Sequence, residues 1–130
     1  MIFGRRYLVL VAALLVSSCS SITDPSKNAS ETFAGTIPLG GFGASHTFTA
    51  NKRGEYSVTI NTLTPPTGSL VGVGFGIESS GICLFQTQNA GQIGKPTLNS
   101  SINPGHYCVQ LYDVGTLAQA ESYTITVSHP

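Results

Sequence analysis

Between residues 31 and 128 apolar and polar side chains alternate one by one, and Gly, Pro or Asn breaks the alternation at short intervals. Period two places successive side chains on opposite faces of a strand, whereas a helix would need a period of 3.6. In residues 55–63, Tyr56, Val58 and Ile60 share one face, opposite Glu55, Ser57, Thr59 and Asn61. Residues 122–128 do the same with Tyr123, Ile125 and Val127. Residues 106–114 turn Tyr107, Val109 and Leu111 inward and leave Cys108, Gln110 and Tyr112 outside. By the same reasoning Ile82 and Leu84 of residues 82–87 are core, with Cys83 and Phe85 outward. Further strands are expected at 31–37, 45–50, 70–78 and 97–102. Turn signals stand at Asn51-Lys52-Arg53-Gly54, Pro65-Pro66-Thr67-Gly68, Ser79-Ser80-Gly81 and Asn103-Pro104-Gly105. Eight short strands with such punctuation predict an all-β, antiparallel β-sandwich. Residues 117–121 (LAQAE) read as a loop with a turn in it.

Residues 70–78 (LVGVGFGIE) are unusual. Val71, Val73, Phe75 and Ile77 form an apolar face, while Gly72, Gly74 and Gly76 leave the other almost bare. A phosphate-cradling loop would need a following helix and dinucleotide spacing of its glycines, and neither is present. A bare face instead admits a neighbouring backbone or an aromatic ring at close range; a ligand groove over it is the other reading.

The N-terminus has its own logic. Arg5 and Arg6 precede an unbroken apolar run at residues 7–16. Ten residues rise about 15 Å as a helix, half the hydrocarbon thickness of a bilayer, so residues 1–18 read as a signal peptide. Val16-Ser17-Ser18-Cys19 then resembles the lipobox of bacterial lipoproteins, in which the cysteine is lipidated and becomes the new N-terminus. An ordinary secretory signal cut after Ser18 or a little later is the alternative. Ser20, where an aspartate would favour inner-membrane retention, implies an outer-membrane lipoprotein of a bacterial cell envelope, its domain periplasmic or surface-facing. Residues 19–30 are polar and read as lipidated cysteine and tether, leaving 31–130 as the β-sandwich domain.

Composition narrows the function. After residue 18 the charges are Lys27, Lys52, Arg53 and Lys95 against Asp24, Glu31, Glu55, Glu78, Asp113 and Glu121, a net of minus two. No basic patch exists to neutralise phosphates, so nucleic acid is not an expected partner. Ser and Thr supply 27 of these residues, in keeping with strands and turns. With Cys19 committed to lipid, Cys83 and Cys108 remain as a pair in an oxidising compartment and are expected to form a disulfide. Buried free thiols or a two-cysteine metal site are the alternatives. Both cysteines fall on outward faces, so the bond should clip neighbouring strands of one sheet.

Residues 102–111 (INPGHYCVQL) resemble the proline-glycine, tyrosine and alternating-strand stretch of bacterial pre-peptidase C-terminal domains. Residues 47–49 with 54–60, and the closing 122–127, are similar to that family's paired strands. The resemblance covers roughly Glu31 to His129 and implies a jelly-roll-like sandwich of the kind appended to secreted proteases, some of which resemble collagen- or carbohydrate-binding modules. The chain departs from the family at Gly43-Ala44-Ser45-His46, where acidic residues are often found, and no protease domain precedes the sandwich. Tyr107 after Asn103-Pro104-Gly105 is also similar to a tyrosine corner, with its hydroxyl bonded to backbone.

Catalytic constellations are scarce. His46, His106 and His129 show no metal-ligand spacing, and His129, next to the last residue, is expected to fray. Asp113, Glu121 and loop carbonyls could contribute to a calcium site, but no acidic loop of coordinating spacing is present, and Asp113 is better read as ordering the loop after its strand. There is no GxSxG, and catalysis by carboxylates would require Glu55 and Glu78 to meet in a cleft. No cofactor, metal or enzyme activity is therefore expected. The aromatic residues off the core faces, Phe42, Phe85 and Tyr112, are the candidate binding residues. The leading expectation is a non-catalytic, lipid-anchored sandwich that binds a protein or glycan partner. A structural or assembly accessory of a membrane complex, or a protease-inhibitor-like module, would be the alternatives.

Cys19→Ala should release the protein from membranes into the soluble fraction. Fractionation of wild type and variant checks this, and a mature N-terminus mapped downstream of Cys19 would contradict lipidation.

Overall fold

The computed structural model describes residues 24–130; Cys19, the signal segment and the start of the tether lie outside the described residues. After a short 3-10 turn at Pro25–Lys27, capped by the Asp24 carboxylate on the Ser26 N–H, eight strands follow. They are β1 (Ala29–Ile37), β2 (Phe42–Ala50), β3 (Gly54–Thr64), β4 (Val71–Ser79), β5 (Ile82–Gly91), β6 (Pro96–Ile102), β7 (Gly105–Tyr112) and β8 (Glu121–His129). All eight expected strands are present: β1, β3, β6 and β8 are a residue or two longer than the alternation indicates, β2 and β5 three and four longer, β4 is shifted by one, and β7 ends two residues earlier.

The strands form two four-stranded antiparallel sheets, one ordered β1-β8-β3-β6 and the other β2-β7-β4-β5. Every consecutive pair except β4-β5 changes sheet, which is the double Greek key of a jelly roll. Antiparallel pairing then fixes where the connections run. Residues 38–41, 65–70, 92–95 and 113–120 gather at one pole. Residues 51–53, 80–81 and 103–104 lie at the other, with the start of β1 and the end of β8.

The core lies between the sheets and holds the residues assigned by alternation: Tyr56, Val58, Ile60, Val71, Val73, Phe75, Val109, Leu111, Tyr123, Ile125 and Val127. Tyr56 stacks on Phe75 with centroids 4.0 Å apart, and burial pushes the Tyr56 hydroxyl up to about 12. Tyr107 closes one edge, donating its hydroxyl to the Asn103 carbonyl at 2.6 Å as the tyrosine-corner reading anticipates.

Three expectations need correction, the third being the path of the disulfide. Ile82 and Leu84 are 62% and 54% exposed, and Ile77, opposite Leu84, is exposed as well. Their parity is right: the three share the face of the β2-β7-β4-β5 sheet that turns toward the other sheet. An open groove of about 400 Å³, lined by Tyr56, Ile77, Ser100 and Ile102, separates that corner from the edge of β6, so nothing covers it. His129 is not frayed. It is paired with Ala29, buried, stacked on Phe48 at 4.8 Å, and its Nε2 lies 2.6 Å from Glu31 Oε2.

The Cys83–Cys108 disulfide is present, with Cα atoms 5.7 Å apart. Both cysteines belong to one sheet, but their strands are not neighbours: β5 and β7 flank β4, and the bond passes over it. Gly76 makes this possible, because a Cβ there would strike the Leu84 carbonyl. A chain lacking both thiols (Cys83→Ala with Cys108→Ala) should keep its strand circular dichroism and lose about 3.5 kcal/mol, the chain-entropy figure for such a loop. For a domain of this size that is roughly 15–25 °C in Tm, readable by thermal melting.

Candidate functional site

The outer face of the β2-β7-β4-β5 sheet is built from its register. Cross-strand rows place Phe42 beside Tyr112 and Gly72, Ser45 beside Gln110 and Gly74, and Thr47 beside Cys108 and Gly76. The next row holds Thr49, whose Oγ1 is 2.9 Å from His106 Nδ1. Along β4 the glycines form a trough, and aromatic rings fill it. A Cβ on Gly72 would stand inside the Tyr112 ring, and one on Gly74 inside the Phe85 ring.

The structure thus brings all three candidate aromatics together. Phe42 lies 5.3 Å from Tyr112 and 6.2 Å from Phe85, centroid to centroid, and Phe85 lies 5.9 Å from Tyr112. The rings are mutually tilted, the arrangement their quadrupoles favour. Phe85 and Tyr112 are half-buried by their contact with the glycines, whereas Phe42 remains 59% exposed. The smooth glycine face is therefore no open groove for a ligand: rings, disulfide and the β5 backbone cover it. Gln110 supports the cluster by donating its side-chain amide to the Gly43 carbonyl at 2.8 Å, and the Ser45 hydroxyl beside it is buried without a partner.

The other sequence candidates are placed apart. His46, His106 and His129 each have a different partner, Tyr123, Thr49 and Glu31. His106 and His129 line a groove of about 650 Å³ with Glu31 and Glu78, yet among the described residues no group of three His, Cys, Asp or Glu is arranged to hold a metal. Glu78 lines that groove and accepts from the Gly81 N–H, while Glu55 lines a separate one beside Asn28 and Ser128. The two carboxylates do not meet.

Asp113 orders its loop as anticipated. One oxygen accepts from the N–H groups of Gly115, Thr116 and Leu117, the other from Gly40 across the pole. Those bonds, the one from Gly40 foremost, hold its carboxyl below the usual carboxylate range. Glu121, opposite Ile37, is buried instead and shares no site with Asp113. Sequence reasoning missed the bond to Gly40; the Asp-x-Gly-Thr spacing signals only the local turn.

No protein-family model matches the chain, and no curated protein matches it.

His46 is half-buried at the outer margin of the core. Its ring stacks on Phe33 at 5.0 Å, and its Nε2 lies 2.6 Å from the Tyr123 hydroxyl, over Gly35 and Gly43. Burial pushes its imidazole down and the Tyr123 hydroxyl up. The unfolded chain takes up a proton at His46 near pH 6.5, about the ordinary value, and the folded chain only at lower pH. Stability from this group is therefore complete above about pH 6.5 and is lost as the pH falls through the folded value. His46→Gln should flatten the decline in Tm between pH 7 and 5 relative to wild type, as followed by thermal melts.

Proposed function

We propose that this chain is a non-catalytic binding domain, carried on a lipid anchor at Cys19 in a bacterial envelope, and that Phe42 with Phe85 and Tyr112 is its contact surface. The observation that carries the reading is the exposure of Phe42: it packs on two rings and still shows 59% of its surface to solvent. An exposed ring fixed by two half-buried ones is pre-organised and costs little entropy to bind. The trough beneath it cannot yield, because each glycine is already in contact. With no charged side chain in the trio, the surface suits a neutral partner, a sugar ring or an apolar protein side chain.

The jelly-roll topology and the Tyr107 corner also support kinship with pre-peptidase C-terminal domains, which implies an accessory and not a catalytic role. The separation of Glu55 from Glu78 favours the same reading.

A photocrosslinking residue at position 42 should capture one discrete partner in intact cells, and Phe42→Ala should lower binding to that partner at least tenfold while moving Tm by only a few degrees. Unchanged binding with a Tm loss of many degrees would make Phe42 a packing residue and overturn the proposal.

A further inference from the structure

Each of the four loops at the pole remote from Ala29 exposes one aliphatic side chain: Leu39, Leu70, Ile93 and Val114. Leu39 is 60% exposed, as much as any apolar side chain near it. Soluble surfaces rarely gather such residues without a use for them.

The loops that carry these tips are braced against one another. The Gly40 N–H donates to Asp113 Oδ2 at 2.8 Å, and the Asp113 N–H donates back to the Gly41 carbonyl at 3.0 Å, joining loops 38–41 and 113–120. Thr116 Oγ1 donates to the Leu70 carbonyl at 2.6 Å and Ser69 Oγ to the Thr116 carbonyl at 3.3 Å, joining 113–120 to 65–70. Gln92 Nε2 donates to the Gly68 carbonyl at 2.8 Å, joining 65–70 to 92–95. These bonds hold the four loops in fixed relation to one another, while on the strands behind them Glu121 Oε2 and Thr97 Oγ1 are buried without partners.

Charge is distributed to match. The four loops hold only Lys95 and Asp113, and Asp113 is turned into the bracing bonds. Asp24, Lys27, Glu31, Lys52, Arg53, Glu55 and Glu78 all lie toward the opposite pole. The molecule is amphipathic along its length. The tips are single aliphatic side chains on separate loops, the exposed ring of Phe42 stands at the end of the first, and no arginine, a common anchor of protein interfaces, lies among them. Separate aliphatic tips with paired backbone suit acyl chains, which close around each one.

We infer that this pole docks on a lipid bilayer of neutral headgroups, with Leu39, Leu70, Ile93 and Val114 entering the boundary between headgroup and hydrocarbon. The inference goes beyond the binding role of Phe42 and does not depend on lipidation at Cys19.

Residues 20–130, which hold the whole described fold, test it without acyl chains. The chain has no tryptophan, so Leu39→Trp provides a single reporter. Vesicles of phosphatidylcholine alone should shift its emission to the blue, whereas Lys52→Trp at the charged pole should not respond. In sedimentation with the same vesicles, Leu39→Asp with Leu70→Asp should weaken binding by roughly tenfold or more at unchanged Tm. Ile82→Asp, in the exposed corner at the other pole, should leave binding intact. Absence of a blue shift, equal loss with Ile82→Asp, binding only when anionic lipid is added, or a dimer that Leu39→Asp disperses without any vesicle binding would each overturn the inference.

Discussion

Strand β4 is buried on both faces from Val71 to Gly76, and the rest of the architecture is arranged around that constraint. Val71, Val73 and Phe75 enter the core between the sheets, while Gly72, Gly74 and Gly76 receive Tyr112, Phe85 and the β5 backbone from outside. Glycine weakens a strand by its backbone entropy and by giving neighbours nothing to pack on. Here that cost is offset by two half-buried aromatic rings and by a covalent bond between strands that are not hydrogen-bonded to each other. The outer face of this sheet thereby acquires a small second core, and Phe42 is held at its margin.

Topology sorts the connections as firmly as β4 sorts the faces. A jelly roll sends its odd-numbered connections to one pole and its even-numbered ones to the other, however far apart they stand in sequence. Asp113 uses this convergence, with one carboxylate tying its own loop and a loop more than seventy residues earlier. The carboxylate stays ionised because backbone N–H groups surround it. No other acidic residue described here spans two loops.

Most of the fold was legible because alternation reports which face a residue occupies. It does not report whether anything lies opposite that face. Ile82 and Leu84 have the correct parity and are still exposed, beside the Ile77 that lines an open groove, since coverage depends on how far β6 reaches, a property of another strand. His129 looked dispensable by position, yet a place in register with Ala29 and a ring against Phe48 outweigh nearness to the chain end. The cysteine pairing followed from counting, whereas its passage over β4 depended on Gly76. For the candidate site, Phe42, Phe85 and Tyr112 could be named as outward aromatics but not as one cluster. Their union follows from register across three strands and a β-bulge between Phe42 and Ser45, neither of which is written locally.

The position of β8 sets the order in which this molecule can assemble. It is the last of the eight described strands in sequence, and it hydrogen-bonds β1 on one side and β3 on the other, so its sheet has a gap at its centre until residues 121–129 have emerged. Before then Tyr123, Ile125 and Val127 are missing from the core, and β1 has no partner strand at all. Contacts of such long sequence separation make folding slow and cooperative. The β2-β7-β4-β5 sheet has all its strands by Tyr112, so a chain emerging N-terminus first has one sheet complete in sequence while the other still waits for residues 121–129.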